Sequence, residues 1–515
     1  MKQFSNERSN AANGHRCQTT LGEITESAIQ QAVPDREFVY LDIGSVDRES
    51  KHFNDLKLLS PNDAPSRARQ VVKQGDVLVS MTRPNLNAVA MVPDRGDYFI
   101  ASTGFHVLRS RWVNPRYLYY LVQSEAFIEA MSALVQGALY PAVRPKDIAG
   151  FEFELPPQNE QTRIVEKVEE LLSDLDAGVA ELKAAQRKLA QYRQSLLKAA
   201  VEGALTADWR AARARSCEPQ ETGADLLQRI LTERRARWEA KQSAKYAEQG
   251  KSPPKGWQAK YPEPTEPSDE NHLGLPTSWT WATVDQISIA QKYGSSSKTG
   301  EDASGVPVLR MGNIQDGRLD LTNLKYLAED HKEFPDLLLD DGDLLFNRTN
   351  SPELVGKTAV YRSEITPCSY ASYLIGVKLN SSCCPEFVSA FINSAFGRAW
   401  VKEVVTQQVG QANVNGSKLA SLAVPLPPRD EQQEIIARLD YQLRASFHEQ
   451  AMIERGLEQA AAQRKNILKA AFAGQLVPQD PNDEPASVLL ERIRAERAKQ
   501  TGAAKPRGRK PRTSA

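Results

Sequence analysis

The sequence has few cysteines, and their spacing argues against a cross-linked or zinc-bound protein. Of its 515 residues only five are cysteine, namely Cys17, Cys217, Cys368, Cys383 and Cys384, and the single close pair is adjacent in the chain. Adjacent cysteines rarely form a disulfide with each other or share a metal ion. We therefore expect a reducing compartment and no structural metal.

Long apolar runs and a secretory signal are also missing. No apolar stretch approaches the roughly 18 residues of a membrane-spanning helix, and residues 1–16 are polar, without the apolar centre of a signal peptide. The chain carries 65 Lys and Arg against 65 Asp and Glu, so bulk charge indicates no polyanionic partner. We expect a cytoplasmic protein without membrane contact.

The motifs of several catalytic sites are absent as well. The string Asn-Pro-Pro followed by an aromatic residue, with which adenine methyltransferases hold their target base, does not occur. Residues 355–360 read VGKTAV, but a phosphate-binding loop needs a glycine five residues before its Gly-Lys pair, where this chain has Ser351. The six histidines lack the spacing of a zinc site. We expect no catalytic, cofactor-binding or metal-binding residue in this chain.

One short pattern keeps an enzymatic alternative open. Asp35, which follows a proline, is succeeded by Glu49 and Lys51. This fits the loose spacing of Mg²⁺-dependent nucleases, in which two carboxylates hold the metal and a lysine orients the attacking water. A stand-alone nuclease is therefore the enzymatic alternative, although the second half of the chain lacks the pattern.

An internal repeat organises the sequence. Residues 155–203 begin LPPQNEQ and end LLKAAVEG, and residues 426–474 begin LPPRDEQ and end ILKAAFAG. The two segments align without a gap at an offset of 271, and 15 of the 49 aligned positions are identical. A gapless match of this length keeps helical phase, so each copy is predicted to be one long helix.

Apolar residues recur every seven positions in both copies, which is typical of a coiled-coil seam. The preceding prolines cannot continue a helix backwards, and Asn159 and Asp430 are predicted N-caps. Gly203 and Gly474 are predicted to end the helices. The seam residues are Val168, Leu175, Leu182, Leu189 and Leu196 in the first copy, and Leu439, Ile453 and Ile467 in the second.

A related globular domain is predicted before each long helix. The two domains show the same order of strand-like segments, followed by an apolar-periodic helix and a final strand. The strand-like segments are residues 37–43, 75–83 and 105–109 in the first domain and 307–314, 342–348 and 373–379 in the second; the helices run from Pro115 to about Leu134 and from Pro385 to about Val405.

The remaining segments are a polar N-terminal tail, a helical and Pro-rich linker, and a C-terminal helix that runs into a basic tail. The predicted order is therefore tail 1–18, domain 19–154, long helix 155–205, linker 206–272, domain 273–425, long helix 426–478, and C-terminal helix with basic tail 479–515.

The order domain, helix, domain, helix restricts the fold. If the second helix packs on the first, it must run back along it, so the pair is antiparallel. We expect an α+β protein in which two related mixed α/β domains are separated by two long antiparallel coiled-coil helices in a pseudo-two-fold arrangement.

These features together resemble the specificity (S) subunit of type I restriction–modification enzymes. The resemblance is carried by LPPxxEQ opening a long helix twice, by Gly-Asp before an apolar strand that ends near an arginine in each domain, and by the linker ERRARWEAKQ…KGWQAKYPEP. It covers nearly the whole chain except the first 18 or so residues and the basic tail.

The resemblance implies a function and a set of partners. Two target recognition domains each read one half of a bipartite, asymmetric site in double-stranded DNA, and the helices space them and dock two methyltransferase (M) subunits. Restriction (R) subunits join this core. The S subunit performs no chemistry, and S-adenosylmethionine, ATP and Mg²⁺ are expected in the partner subunits.

Residue types that read base edges cluster after two apolar strands and again before each long helix. Arg83 and Arg348 occupy similar places in the sequence, since each follows a Gly-Asp turn and a strand, and they are the leading DNA-binding candidates. The alternative is that the Asn, Pro and Gly residues at these places only form turns. The full candidate set is Ser80, Thr82, Arg83, Asn85, Asn87, Tyr140, Arg144 and Lys146 in the first domain, and Asn347, Arg348, Thr349, Asn350, Gln411, Asn413 and Asn415 in the second.

A third hypothesis needs no nucleic acid. A heptad stripe is usually a helix core, so a coiled-coil scaffold with two protein-binding domains has the same sequence pattern.

Overall fold

The computed structural model describes residues 15–137, 139–216, 219–268, 274–351, 354–408 and 411–502. The chain forms two compact units, the first made of Met1–Lys183 with Glu454–Ala515 and the second of Ala184–Ile453. Each long helix therefore contributes one part to each unit.

The strands are short, and each strand-like segment that the sequence pattern predicts overlaps one of them. In chain order they are β1 Cys17–Thr20, β2 Phe38–Leu41, β3 Lys57–Leu59, β4 Ala68–Val72, β5 Val77–Ser80, β6 Val89–Met91, β7 Phe99–Ser102, β8 Phe105–Leu108, β9 Glu152–Leu155, β10 Thr280–Thr283, β11 Ser288–Tyr293, β12 Val306–Leu309, β13 Ile314–Gln315, β14 Arg318–Leu319, β15 Lys325–Leu327, β16 Leu344–Asn347, β17 Thr349–Asn350, β18 Thr358–Val360, β19 Ser369–Tyr370, β20 Leu374–Leu379, β21 Thr406–Gln408, β22 Gln411–Asn413 and β23 Ala423–Leu426.

The helices include two of 44 residues each. In chain order they are α1 Leu21–Ile24, α2 Pro115–Leu121, α3 Glu125–Ala133, α4 Pro145–Ala149, α5 Gln158–Val201, α6 Ala207–Arg213, α7 Gly223–Glu248, α8 Val284–Ile287, α9 Pro385–Asn393, α10 Ala395–Val404, α11 Gly416–Ala420, α12 Arg429–Phe472 and α13 Ala486–Gly502. None of the described helices combines the length and the apolar character needed to cross a bilayer.

Unit 1 contains two small sheets and one terminal strand pair. One sheet has the strand order β3-β2-β7-β4 and includes a parallel β2–β7 pair, and the other has the order β6-β5-β8. Strand β1 pairs antiparallel with β9, which leads directly into α5. The first domain is thereby closed at the start of the long helix.

The helical segments of unit 1 pack antiparallel. Leu182 lies against Gly456, where a β-carbon would meet the leucine Cδ1 at 3.1 Å, and Asp176 pairs with Arg464. Later residues of α5 thus contact earlier residues of α12. Val168 and Ile467 are buried in one core, whereas Leu175 and Leu182 are half-buried, as expected where only two helices shield the seam.

Unit 2 repeats this arrangement with its own strands. The orders β11-β20-β16-β18 and β15-β12-β19 form the two sheets, with a parallel β12–β19 pair, and β10 pairs antiparallel with β23 ahead of α12. Two smaller sheets, β13-β14 and β17-β22-β21, are added.

The helical segments of unit 2 are antiparallel too. Leu196, Ala200, Ile435 and Leu439 share a buried cluster, Leu189 is also buried and Ile453 is half-buried. At Ser446, where the heptad stripe lacks an apolar residue, Arg193 crosses from α5 and its Nε donates to the serine Oγ at 2.7 Å. A polar contact thus replaces an apolar one at this seam position.

Each domain is also held to its helices by a loop or hairpin. In unit 2 the Phe447 ring lies between two guanidinium groups, with Arg193 at 4.1 Å and Arg318 of β14 at 3.9 Å from its centroid. In unit 1 Glu49 pairs with Lys183 at 2.9 Å. The contacts of Phe447 add to the strand pair in fixing the second domain on its helical segments, whereas the solvent-exposed Glu49–Lys183 pair contributes little.

A buried glutamate in the first turn of each long helix ties down the chain before the first strand. Glu160 and Glu431 are equivalent in the repeat, and both side chains are almost fully buried. Arg16 donates from Nε to Glu160 at 3.1 Å, and Trp279 donates from Nε1 to Glu431 at 2.8 Å. A buried carboxylate needs such a donor, because an unpaired charge in a core is strongly destabilising.

Several predictions need correction. The single helices expected from Pro115 to Leu134 and from Pro385 to Val405 are each two helices. The break falls at Ser124, whose side chain accepts from the Phe127 amide and caps α3, and at Ser394 in extended conformation. The two predicted N-caps are also wrong, because Asn159 and Asp430 lie inside α5 and α12. Asn159 donates to Asp483, and Asp430 pairs with Arg213.

The helix ends agree with the prediction. Gly203 and Gly474 have φ of 76° and 73°, the left-handed conformation that glycine adopts without strain at the residue after a helix.

The segments after the long helices do more than link. Helix α7 inserts Leu226 and Ile230 into the core of the second domain, and α13 inserts Leu489, Leu490 and Ile493 into the core of the first. The predicted linker therefore includes a structural element of the domain that follows it.

Candidate nucleic-acid interface

In the first domain the two predicted DNA-binding clusters lie side by side. The loop after β5 runs antiparallel to residues 141–143, with an isolated bridge between Thr82 and Ala142. The Val143 amide donates to the Met81 oxygen, and the Arg83 amide donates to the Pro141 oxygen, both at 2.8 Å. The structure thus brings Thr82 and Arg83 next to Tyr140 and Arg144, which are about 60 residues away in sequence.

The second domain has the same junction. The Val414 amide donates to the Arg348 oxygen at 2.9 Å, and β17 pairs with β22 so that Thr349 lies opposite Asn413. Because the same two segments meet in both domains, this junction is the candidate interface, and we call it the loop junction of each domain.

The hydrogen bonds correct one expected equivalence. Val143 and Val414 are related by the offset of the repeat, and their amides donate to Met81 and Arg348 respectively. The counterpart of Arg348 is therefore Met81, and that of Arg83 is Asn350. Both arginines follow a Gly-Asp turn, but Arg83 comes eight residues after Gly75 and Arg348 comes six residues after Gly342, which is the spacing of Met81.

The loop junction of the first domain exposes several polar and cationic side chains. Arg83 adopts the left-handed backbone conformation, with φ of 48°, and it directly precedes the single helical turn that begins at Pro84. Arg144 lies at the start of α4, where its amide and guanidinium both donate to Asp147. The exposed members of the predicted set are Thr82, Arg83, Asn85, Tyr140, Arg144 and Lys146.

Two residues of the predicted set have structural contacts inside the domain. Ser80 is buried and its hydroxyl donates to the Thr82 oxygen at 3.0 Å. Asn87 is also buried; its Nδ2 donates to the Val122 oxygen at 2.8 Å, and its Oδ1 accepts from Lys51. Both residues shape the loop that carries Arg83 and Asn85.

The Arg348 side chain is held in place by its neighbours. Its guanidinium lies 4.8 Å from the centroid of the Tyr293 ring, and its Nη2 is 3.4 Å from the Asn413 Oδ1. The Tyr293 hydroxyl in turn accepts from the Gly416 amide at 2.8 Å. The arrangement restricts the rotamers of Arg348, which lowers the entropy lost when a guanidinium binds a base or phosphate.

The other predicted residues of the second domain differ in their roles. Asn347 is buried and donates to the Leu354 oxygen at 3.2 Å, and Thr349 is buried in β17. Asn415 caps α11 by accepting from the Lys418 amide at 2.9 Å. For Asn350 and Gln411 the structure describes the backbone in β17 and β22 and not the side chains.

Three residues at the loop junctions were not in the predicted set. Tyr293, whose ring contacts the Arg348 guanidinium, and Tyr373, whose oxygen accepts from the Arg348 amide, are half exposed, and Leu139 precedes Tyr140. The sequence signal that could have indicated these residues is a leucine or tyrosine next to glycine and polar residues, as in QGALY and KYGSSS.

The proposed nuclease residues have separate partners. Lys51 Nζ donates to the Asn87 backbone oxygen at 2.6 Å, and Glu49 pairs with Lys183. Burial lowers the Lys51 pKa from its usual 10.5 to about 8. The lysine therefore supports a loop, and this geometry does not favour the nuclease alternative. Among the residues that the structure describes, no three His, Cys, Asp or Glu side chains gather as metal ligands would.

Comparison with known proteins identifies the family. The model of the type I restriction modification DNA specificity domain matches residues 64–187 and 278–454, which is more than half of the chain. The chain belongs to this family. The matched stretches fall one on each half of the sequence repeat.

Relatives of the specificity-subunit family extend over most of the chain. The type I restriction enzyme EcoKI specificity subunit of Escherichia coli (strain K12) is 26% identical over 448 residues, 84% of this chain and 83% of that protein. The StySPI specificity subunit of Salmonella potsdam is 23% identical over 446 residues, with the same two coverages of 84% and 83%.

A solved structure shows the same fold. A chain from work on complex assembly and conformational transition of the type I R-M system aligns with a TM-score of 0.63 at 21% identity, covering 90% of this chain and 98% of that one. The fold of this specificity subunit, with two mixed α/β domains and two long helices, is thus shared.

Proposed function

We propose that this chain directs a type I restriction–modification system to its DNA, each domain reading one half of a bipartite target. One observation carries the proposal: the two domains build the same loop junction from different side chains. Met81 in one domain stands where Arg348 stands in the other, and Tyr140 stands where the sequence of the second domain has Gln411. A shared frame with different side chains is what two different half-sites require.

The reading chemistry follows from the side chains. A guanidinium donates two hydrogen bonds to the O6 and N7 of guanine, and a carboxamide pairs in the same way with adenine. Arg348, preordered on Tyr293, and Asn413 beside it suit such contacts in the second domain. Arg83, Asn85, Arg144 and Lys146 supply guanidinium, amide and ammonium groups in the first, for bases and phosphates.

The helices and the partners have the remaining roles. The outer faces of α5 and α12 dock two M subunits, and R subunits join that complex. This chain performs no chemistry; S-adenosylmethionine, ATP and Mg²⁺ belong to the partner subunits. The support is membership of the specificity family and the absence of a methyltransferase motif from the sequence.

A domain exchange tests the proposal. Because α13 completes the core of the first domain, residues 15–154 are exchanged together with residues 486–502 for those of a relative, and methylated sites are mapped in cells with the M subunits. We expect one half of the target to change and the other to persist. A change of both halves, or of neither, contradicts modular reading, and methylation without sequence preference favours the scaffold hypothesis.

A further inference from the structure

Two apolar side chains project from the loop junction of the first domain. Leu139 is 87% exposed and Tyr140 is 85% exposed, the highest values among the large apolar side chains that the structure describes. Isolated exposed apolar residues are common. Two adjacent ones at this exposure place a larger apolar surface in water, and a partner that covers this surface would gain the free energy of its burial.

The backbone that directly follows this pair is anchored to the loop after β5. The carbonyl oxygen of Pro141, the next residue, accepts a 2.8 Å hydrogen bond from the Arg83 amide, and Ala142 forms the β-bridge to Thr82. Leu139 and Tyr140 therefore directly precede the segment that forms the β-bridge of the junction.

The charge around the pair indicates which partner covers it. Arg83, Arg144 and Lys146 are exposed on the two segments of the same junction, and Asp147 is the acidic group paired with Arg144. An apolar tip flanked by cations matches duplex DNA, whose phosphates surround stacked, apolar base faces.

The second domain differs at this place in its sequence. The offset that aligns Val143 with Val414 places Gly410 and Gln411 opposite Leu139 and Tyr140. The apolar pair is therefore a feature of the first domain alone, which suits a device belonging to one half-site.

On the basis of the proposed function, we propose that Leu139 and Tyr140 insert between two stacked base pairs of the first half-site. Leucine wedges of this kind unstack a base step and bend the duplex, and a tyrosine ring stacks on the exposed base. The step that opens most easily then contributes to sequence preference without hydrogen bonds to its base edges.

The test uses the full chain reconstituted with its M subunits, and a target duplex taken from the methylation map. 2-Aminopurine is placed in turn at each position of the first half-site other than the methylated adenine. With the unaltered chain we expect fluorescence to rise at one step. With Leu139→Ala/Tyr140→Ala we expect that rise to vanish and binding to weaken 10- to 100-fold. A mismatch at the same step should restore most of the lost affinity, because the step is then already open.

Two variants serve as controls. Tyr140→Phe keeps the stacking ring and should retain the signal, and Leu58→Ala, at another exposed leucine of the same domain, should bind as the unaltered chain does. Equal melting temperatures exclude misfolding.

Three results would overturn the wedge. If the double variant binds DNA with unchanged affinity, the wedge is overturned and the proposed function stands. If it binds DNA normally but no longer binds the M subunits, the wedge is also overturned, and the pair is assigned to a protein contact. Absence of sequence-specific binding by the unaltered complex overturns both proposals.

Discussion

The carbonyl oxygen of Arg348 accepts a 2.9 Å hydrogen bond from the amide of Val414. This bond joins the loop after β16 to the segment before α11 and so fixes the backbone from which the Arg348 guanidinium extends over Tyr293. Because the acceptor is a backbone oxygen, replacing the side chain does not remove it, so Arg348 is a suitable position for testing recognition.

Arg348→Met installs the residue type that the first domain has at this place. We expect specific binding to fall by about 1–3 kcal/mol, the value of one bidentate base contact, with relaxed preference at a single position of the second half-site. Competition binding against single-base variants of the target measures it. Lys378→Ala, at the opposite end of β20, is the matched control and should leave the preference unchanged.

Arg83→Ala and Arg144→Ala test phosphate contact by the first domain. If each cation neutralises one phosphate, each substitution should reduce the slope of log affinity against log salt by roughly 0.9. Titrations at several salt concentrations give the slope. An unaltered slope for both variants would remove these residues from the interface, and Lys57→Ala, on exposed β3, supplies the reference.

The seam should be most sensitive where it is most buried. Leu196 is buried among Ala200, Ile435 and Leu439, whereas Leu182 is half-buried against Gly456. Leu196→Ala should cost about 2–4 kcal/mol in the free energy of unfolding, and Leu182→Ala less. Denaturant unfolding of both variants checks the order, and equal losses would mean that the seam is uniformly packed.

Ile493→Asp should release α13 from the first domain. Ile493 is 1% exposed in a core with Leu21 and Ile24, and an unpaired carboxylate in that core is costly. We expect rapid proteolysis between residues 478 and 502 and destabilisation of the first domain, with the second domain unaffected. The matched substitution Ile230→Asp, on α7, should destabilise the second domain and leave the first unaffected. Limited proteolysis with mass spectrometry measures both effects.

Lys51 should make stability depend on pH in the alkaline range. Burial lowers its pKa from 10.5 to about 8, so between these values the unfolded chain binds more protons than the folded one, and stability should rise with pH. Compared with Lys51→Met, the unaltered chain should gain stability from pH 8 towards 10.5. A parallel pH dependence of both proteins would show that Lys51 is not the cause.

The sequence predicted those features that depend on local pattern. The long helices, their terminal glycines and the strands within residues 75–83 and 342–348 follow from periodicity, from the repeat and from turn residues. The seven-residue period also selected Val168, Leu196, Leu439 and Ile467, all of which are buried.

Features set by contacts distant in sequence were not accessible. The burial of Asn87 follows from its bonds to Lys51 and Val122, which lie 36 and 35 residues away. The insertion of α7 and α13 into domain cores was hidden because their apolar stripes are only two or three residues wide.

The packing of α13 has a consequence for synthesis on the ribosome. Domains generally fold in the order in which they emerge, N-terminal part first, yet three side chains of the first domain's core belong to residues 489–493. The corresponding helix of the second domain, α7, is made before the strands it covers. The domain translated first is therefore the last to complete its core, and nascent chains that stop short of Leu489 leave apolar core residues of that domain uncovered.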